Sequence, residues 1–173
     1  MKTLKYLDIR EMGEWEGQEK IVINDEKGGG DSCGLRSLVT RDCPKLRVVP
    51  DYMFSPSLRE LEFSGDVGDL YNSFPAYASL CSITKVSLQH LPHSSLPKGF
   101  DLLKALQSLN FSWCSTLDFD LKEFAQHFSL LRNLVIWKCP ILAQRFKGDD
   151  WRTILAHVPT IKIDLEEITR KDK

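Results

Sequence analysis

Apolar residues recur along this chain in a fixed frame. The segments LRSLVTRDCPKL from Leu35, LQSLNFSWCSTL from Leu106 and LRNLVIWKCPIL from Leu131 each place apolar residues at offsets zero and three, a cysteine at offset eight and a leucine at offset eleven. Offset five holds Thr40, Phe111 and Ile136. The same frame without a cysteine appears in LKYLDIREM from Leu4, LRELEFSGD from Leu58, ITKVSLQHL from Ile83 and VPTIKIDLE from Val158. Successive side chains of a strand point to opposite faces. Offsets three and five therefore predict an inward pair on a short strand, and offsets two, four and six an outward row.

The seven starts lie 31, 23, 25, 23, 25 and 27 residues apart. Five of these six intervals fall in the span of roughly 20 to 29 residues that marks leucine-rich repeats. The predicted fold is an α/β solenoid of leucine-rich-repeat type. Its parallel, concave β-sheet is built from one strand per repeat, and its convex side is irregular or short-helical. Residues 1–173 read as a single domain of about six to seven repeats, with an inserted loop at about 12–34 and a C-terminal closing segment at about 143–173. The insertion accounts for the long first interval, and its alternating KIVIN, charges and three consecutive glycines predict a projecting loop. In DLKEFAQHF, apolar residues at 121, 124, 125 and 128 predict a short helix over 120–128. VVPDYMFSPS and SSLPKGFDLLKA carry prolines that stop long helices, with Phe54 and Leu103 placed to close the core before the next strand.

At offset eight the backbone leaves the sheet and the side chain turns inward. A small group that packs well and bonds weakly suits that place, so Cys43, Cys114 and Cys139 predict a buried ladder of free thiols. The rival reading, a metal site, lacks its spacing: there is no CxxC pair, and the three cysteines are 71 and 25 residues apart. The other two cysteines, Cys33 and Cys81, leave an odd total of five, unlike the dense even framework of a small secreted domain.

Charge narrows the partners. The chain has 23 basic and 24 acidic side chains, a formal net charge of −1, so no overall field draws a nucleic acid or an anionic membrane. No apolar run reaches the 18 residues of a spanning helix, and the N-terminus MKTLKYLDIREMGEWEG lacks the apolar core of a secretory signal. The chain reads as soluble and intracellular.

Catalytic chemistry finds no constellation. GGGDSCG is not followed by the GK[ST] that a phosphate-cradling loop requires. His90 and His93, in QHLPH, fall at a strand exit without an acid or third ligand at a recognisable spacing, and read as exposed polar residues. His127 belongs on the predicted helix surface, and His157 reads as a structural hydrogen-bonding residue. Asp149 and Asp150 precede Trp151 and a helical run, which suits a helix N-cap, while Trp151 is placed to plug the last coil. The prediction is no enzyme, no cofactor and no metal.

Binding belongs on the outward row, which also takes in Val39, Ser87, Asn110, Ser112 and Val135. Within it, Arg41, Glu60, Glu62, Lys85, Gln89, Trp113, Trp137 and Lys138 are the candidate protein-binding residues. Trp113 and Trp137 stand at offsets seven and six of adjacent repeats, within reach of each other, and tryptophan is enriched among interface anchors.

Two stretches resemble the C-terminal leucine-rich-repeat region of plant coiled-coil, nucleotide-binding, leucine-rich-repeat (CC-NB-LRR) disease-resistance proteins. One is the consensus seen as LRSLVTRDCPKLRVVP and LRNLVIWKCPIL; the other is CPILAQRFKGDDWRTILAHVPTIKID, residues 139–164, similar in its order of CP, L, R, G, DW, I, AH, P, I, I and D to the closing segment of such receptors. The resemblance covers nearly the whole chain. It implies a cytoplasmic protein-interaction module of an immune receptor. Its partner would be a pathogen effector, a guarded host protein or the nucleotide-binding domain of the same receptor, the last through autoinhibitory contact. Nucleotide binding does not carry over, because no GxxxxGK[ST] is present. Met1 opens almost directly on the first repeat without a polar cap, which leads to the expectation of a fragment. A substrate receptor of a ubiquitin ligase, which would need an F-box segment before the repeats, and a truncated non-functional fragment are the alternatives.

Overall fold

All seven frames become strands. The computed structural model describes residues 6–10, 36–44, 58–68, 71, 82–147, 151–164 and 166–169. Six strands occupy offsets two to six of their frames: β1 (Tyr6–Arg10), β2 (Ser37–Arg41), β3 (Glu60–Ser64), β4 (Lys85–Gln89), β5 (Ser108–Ser112) and β6 (Asn133–Trp137). The seventh, β7 (Thr160–Ile163), is one residue shorter, and β8 (Glu166–Thr169) follows. They form one sheet in sequence order. Pairing from β1 to β7 is parallel and without slip, so Ser37, Glu60, Lys85, Ser108, Asn133 and Thr160 stand side by side. A one-residue slip would turn every inward side chain outward, which the shared apolar pattern forbids.

The all-parallel expectation is corrected at the final strand. Asp164, in the left-handed conformation at φ 52, turns the chain immediately after β7, and β8 runs back antiparallel with Ile168 opposite Ile161. A parallel partner would have required a long crossover, whereas two residues suffice for a hairpin.

The inward pairs Leu61 and Phe63, Val86 and Leu88, Leu109 and Phe111, and Leu134 and Ile136 are all buried, as is Leu38, in one continuous cluster. Offset zero contributes Leu58, Ile83, Leu106, Leu131 and Val158 to the same core. Thr40 breaks the apolar row: fully buried at offset five, its hydroxyl has no hydrogen-bond partner among the described residues. The returning segments cover the core side of the sheet. A 3-10 turn at Phe100–Leu102 and Leu103 bury Phe100 and Leu103. The helix predicted over 120–128 is α1 (Leu121–His127), and the Asp120 carboxylate caps it by accepting the Lys122 and Glu123 N–H groups at 2.9 and 3.0 Å. Helix α2 (Pro140–Arg145) begins on a proline, whose missing N–H costs nothing in a first turn. In α3 (Trp151–Ile154), Trp151 is buried with its ring 5.4 Å from that of Phe146, in the plugging role expected of it. His157 Nε2 donates to the Phe128 carbonyl over 2.9 Å, the structural bond expected. No helix among the described residues is long and apolar enough to cross a membrane. The inserted loop at about 12–34, Cys33, Cys81, Phe54 and the acid pair Asp149 and Asp150 lie outside the described residues.

Candidate functional site

The outward row forms a face that no described helix covers, since the return segments bury their apolar residues in the cluster on the other side. Its chemistry changes in three steps across the sheet. On the β1–β3 side it is charged. Arg41 pairs with Glu62 at 3.0 Å and approaches Asp8 at 3.9 Å. Asp8 and Glu62 are the lateral neighbours of Val39 in the register, so the guanidinium that reaches both spans the valine. Val39, expected to face outward into solvent, is accordingly 4% exposed. Arg41 and Glu62 thus spend their charge on each other, while Glu60 and Lys85, exposed and directly opposite across β3 and β4, keep theirs toward solvent.

The middle of the face is neutral and hydrogen-bonded. Gln89 Nε2 donates to Ser87 Oγ at 3.1 Å, Asn110 Nδ2 donates to the same hydroxyl at 3.4 Å, and Ser112 Oγ donates to Asn110 Oδ1 at 3.0 Å. Gln89 is the one binding candidate in this network. Ser87, Asn110 and Ser112 join it without a mark in the sequence, because alternating small polar residues carry no sign of being bonded across strands.

Toward β6 the face becomes apolar and aromatic, with half-buried Val135 and Trp137. Lys138 places its ammonium 5.4 Å from the Trp137 ring centre, within cation–π range. Trp113 is half exposed at 50%. Its ring does not meet Trp137 as the repeat spacing suggests. It lies parallel to His90, with ring centres 5.8 Å apart and planes 6° off. The tryptophans are joined through the backbone, Trp113 N–H donating to the Trp137 carbonyl at 2.8 Å.

That bond belongs to a ridge along the C-terminal ends of the strands. Asp42, Gly65, His90, Trp113 and Lys138, all at offset seven, have φ of 48, 71, 50, 57 and 52, in the left-handed region. The first four donate their N–H groups to the last strand carbonyl of the following repeat, Ser64, Gln89, Ser112 and Trp137, at 2.8 to 2.9 Å. Lys138 N–H is instead capped by the Asp164 carboxylate at 2.8 Å. In four of the five this left-handed step swings the next residue inward, which buries Cys43, Leu91, Cys114 and Cys139, whereas Asp66 after Gly65 is exposed. Gly65 is tightest, since a Cβ there would lie 2.0 Å from the Asp42 carboxylate. The glycine in this column is the signal by which the ridge could have been read from sequence.

The three offset-eight thiols are free and buried, as expected. Each donates to the carbonyl two residues before it: Cys43 to Arg41 at 3.2 Å, Cys114 to Ser112 at 3.4 Å and Cys139 to Trp137 at 3.3 Å. Cys114 N–H also donates to Cys139 Sγ at 3.4 Å. The Cys114 side chain against it, reinforced by burial, pushes the Cys139 thiol well above its ordinary range, and the same contact lowers the Cys114 thiol to about 7. Among the described residues no group of three His, Cys, Asp or Glu is placed to hold a metal. His93, expected to be exposed, is half-buried and stacks on Tyr71 at 3.9 Å, and burial of Tyr71 lifts its hydroxyl far above its usual range.

Comparison with protein-family models, with curated proteins and with solved structures finds no match for the chain.

Proposed function

We propose that the chain is a leucine-rich-repeat solenoid whose outward strand row is the concave recognition surface of a protein-interaction module. In this reading the module is the C-terminal repeat region of a cytoplasmic plant CC-NB-LRR immune receptor. It recognises an effector or a guarded host protein, it contributes to autoinhibition, and it performs no catalysis. The resemblance of residues 139–164 supports the receptor assignment, and the sequence-ordered parallel sheet supports the solenoid.

One observation carries the placement of the surface. Trp113 is a bulky residue held at φ 57 with half its surface in water. The left-handed φ is common to the offset-seven column and belongs to the repeat; what singles Trp113 out is a large aromatic side chain left half in water, a residue type enriched among interface anchors. Beside it, Trp137 and Lys138 supply an aromatic and cationic neighbour, and Glu60 and Lys85 supply solvent-facing charge at the other end. A graded surface of this kind fits a folded protein partner. Anchors of this type carry on the order of 2 kcal/mol or more each when they are interface hot spots.

The test begins with the coding region upstream of this chain, where the reading requires a GxxxxGK[ST] motif; an F-box there would assign the repeats to a ubiquitin ligase instead. Next, the full-length receptor carrying W113A/W137A is assayed for autoactivity and for the immune response. A change in either at unchanged protein level is the expected result. Wild-type behaviour in both would move the surface off this patch.

A further inference from the structure

We propose a second binding site, in the groove between the 3-10 turn at Phe100–Leu102 and helix α1, that takes a cationic peptide segment with an apolar side chain between two basic residues. It lies on the core side of the sheet, away from the outward row, and does not depend on the function proposed for that row.

The groove has a volume of about 440 Å³, in the range of sites that hold a ligand. Its floor is aromatic. Phe119 and Phe124 stack at 4.8 Å and 22°, Phe124 meets Phe128 at 4.8 Å, and Phe128 meets Phe100 edge-on at 5.4 Å. Phe100, Phe124 and Phe128 are anchored in the core, so the floor is rigid, while Phe119 is only partly buried and offers its ring to the groove.

The rim decides the class of ligand. Four carboxylates line the groove, Asp101, Asp118, Asp120 and Glu123, and among the described residues no lysine or arginine does. Two of the four are occupied. Arg145 donates to both oxygens of Asp118 at 3.0 and 2.8 Å, holding that carboxyl below its ordinary range, and Asp120 caps α1. Asp101 and Glu123 have no side-chain partner among the described residues. They stand on the two walls, one on the 3-10 turn and one on α1. An anionic ligand would meet repulsion from both. A metal ion is disfavoured because no three ligating groups converge here among the described residues. An apolar floor between two free carboxylates matches a segment with an aromatic or aliphatic centre and a cation on either side, whose stems can also lie on the rings.

The probe is acetyl-Arg-Phe-Arg-amide, titrated into the full chain labelled with ¹⁵N and followed by amide shifts, with acetyl-Glu-Phe-Glu-amide and acetyl-Arg-Gly-Arg-amide as controls. The expected result is saturable shifts confined to residues 95–101 and 118–128 for the first peptide alone, weakening as salt is raised. D101N/E123Q, at two exposed positions that leave the Asp120 cap intact, should weaken binding roughly two- to thirtyfold, the range for two solvent-facing ion pairs. W113A/W137A should leave it unchanged, which separates this site from the outward row. The proposal is overturned if the Glu peptide binds equally well or if D101N/E123Q binds as wild type. It is also overturned if a second copy fills the groove, seen as a wild-type dimer that D101N/E123Q dissociates.

Discussion

Replacing Trp113 with alanine and, separately, with glycine tests the ridge and the presentation of the tryptophan together. Trp113 keeps 50% of its surface exposed. A tryptophan has up to about 250 Å² to bury, so about half of that is withdrawn from water, worth at most about 3 kcal/mol at 25 cal/mol/Å². Either substitution forfeits this term together with the stacking on His90. The two differ in backbone. At φ 57 alanine still carries the left-handed cost of about 1–2 kcal/mol, which glycine escapes. Glycine loses about 0.5–1 kcal/mol more chain entropy on folding. The balance makes W113G more stable than W113A by about 0.5–1 kcal/mol, the reverse of the order at an ordinary strand position. With a urea m-value of about 2 kcal/mol/M, that is a midpoint difference of about 0.25–0.5 M, measurable by circular dichroism or by fluorescence of the remaining tryptophans. Equal m-values with alanine at least as stable as glycine would refute the left-handed assignment.

Two other consequences concern the interior. Thr40→Val replaces a fully buried hydroxyl that has no partner among the described residues by a methyl in a row of apolar neighbours and should raise the unfolding free energy by about 1 kcal/mol, seen as a higher urea midpoint; a loss of stability would mean that the hydroxyl is bonded. In the fold the Cys114 thiol releases its proton near pH 7, while the Cys114 side chain and burial hold Cys139 protonated, so above the ordinary thiol pKa of about 8.5, where the unfolded chain releases both protons, the native pair keeps the one on Cys139. The stabilising contribution of Cys139 is complete below that value and is lost as pH rises beyond it. Cys139→Ala should therefore flatten the fall in unfolding free energy between about pH 9 and pH 10 seen in the wild type. An unchanged slope would place the proton elsewhere.

The sequence by itself determined the strand positions, their inward pairs, the sheet order and the buried cysteines, because all of these follow from one local rule. Alternation sets which side chains point inward, and a recurrence of 23 to 27 residues brings each strand beside the next, so the repeat frame alone aligns Leu61, Val86, Leu109 and Leu134 across the sheet. The α1 helix was legible for the same reason, its apolar spacing and its Asp120 cap both lying within nine residues. Only the tertiary structure decided what depends on side chains from different repeats. Alternation places Val39 outward, but Arg41, stretched between Asp8 and Glu62 on two other strands, seals it from water. Proximity in the repeat frame suggests that Trp113 faces Trp137, but the left-handed turn at offset seven aims its ring at His90 instead. The hairpin of β8 and the groove beneath Phe119 arise likewise from where separate segments meet. A period of two specifies which face a residue takes; it does not specify what long side chains on neighbouring strands reach across to touch.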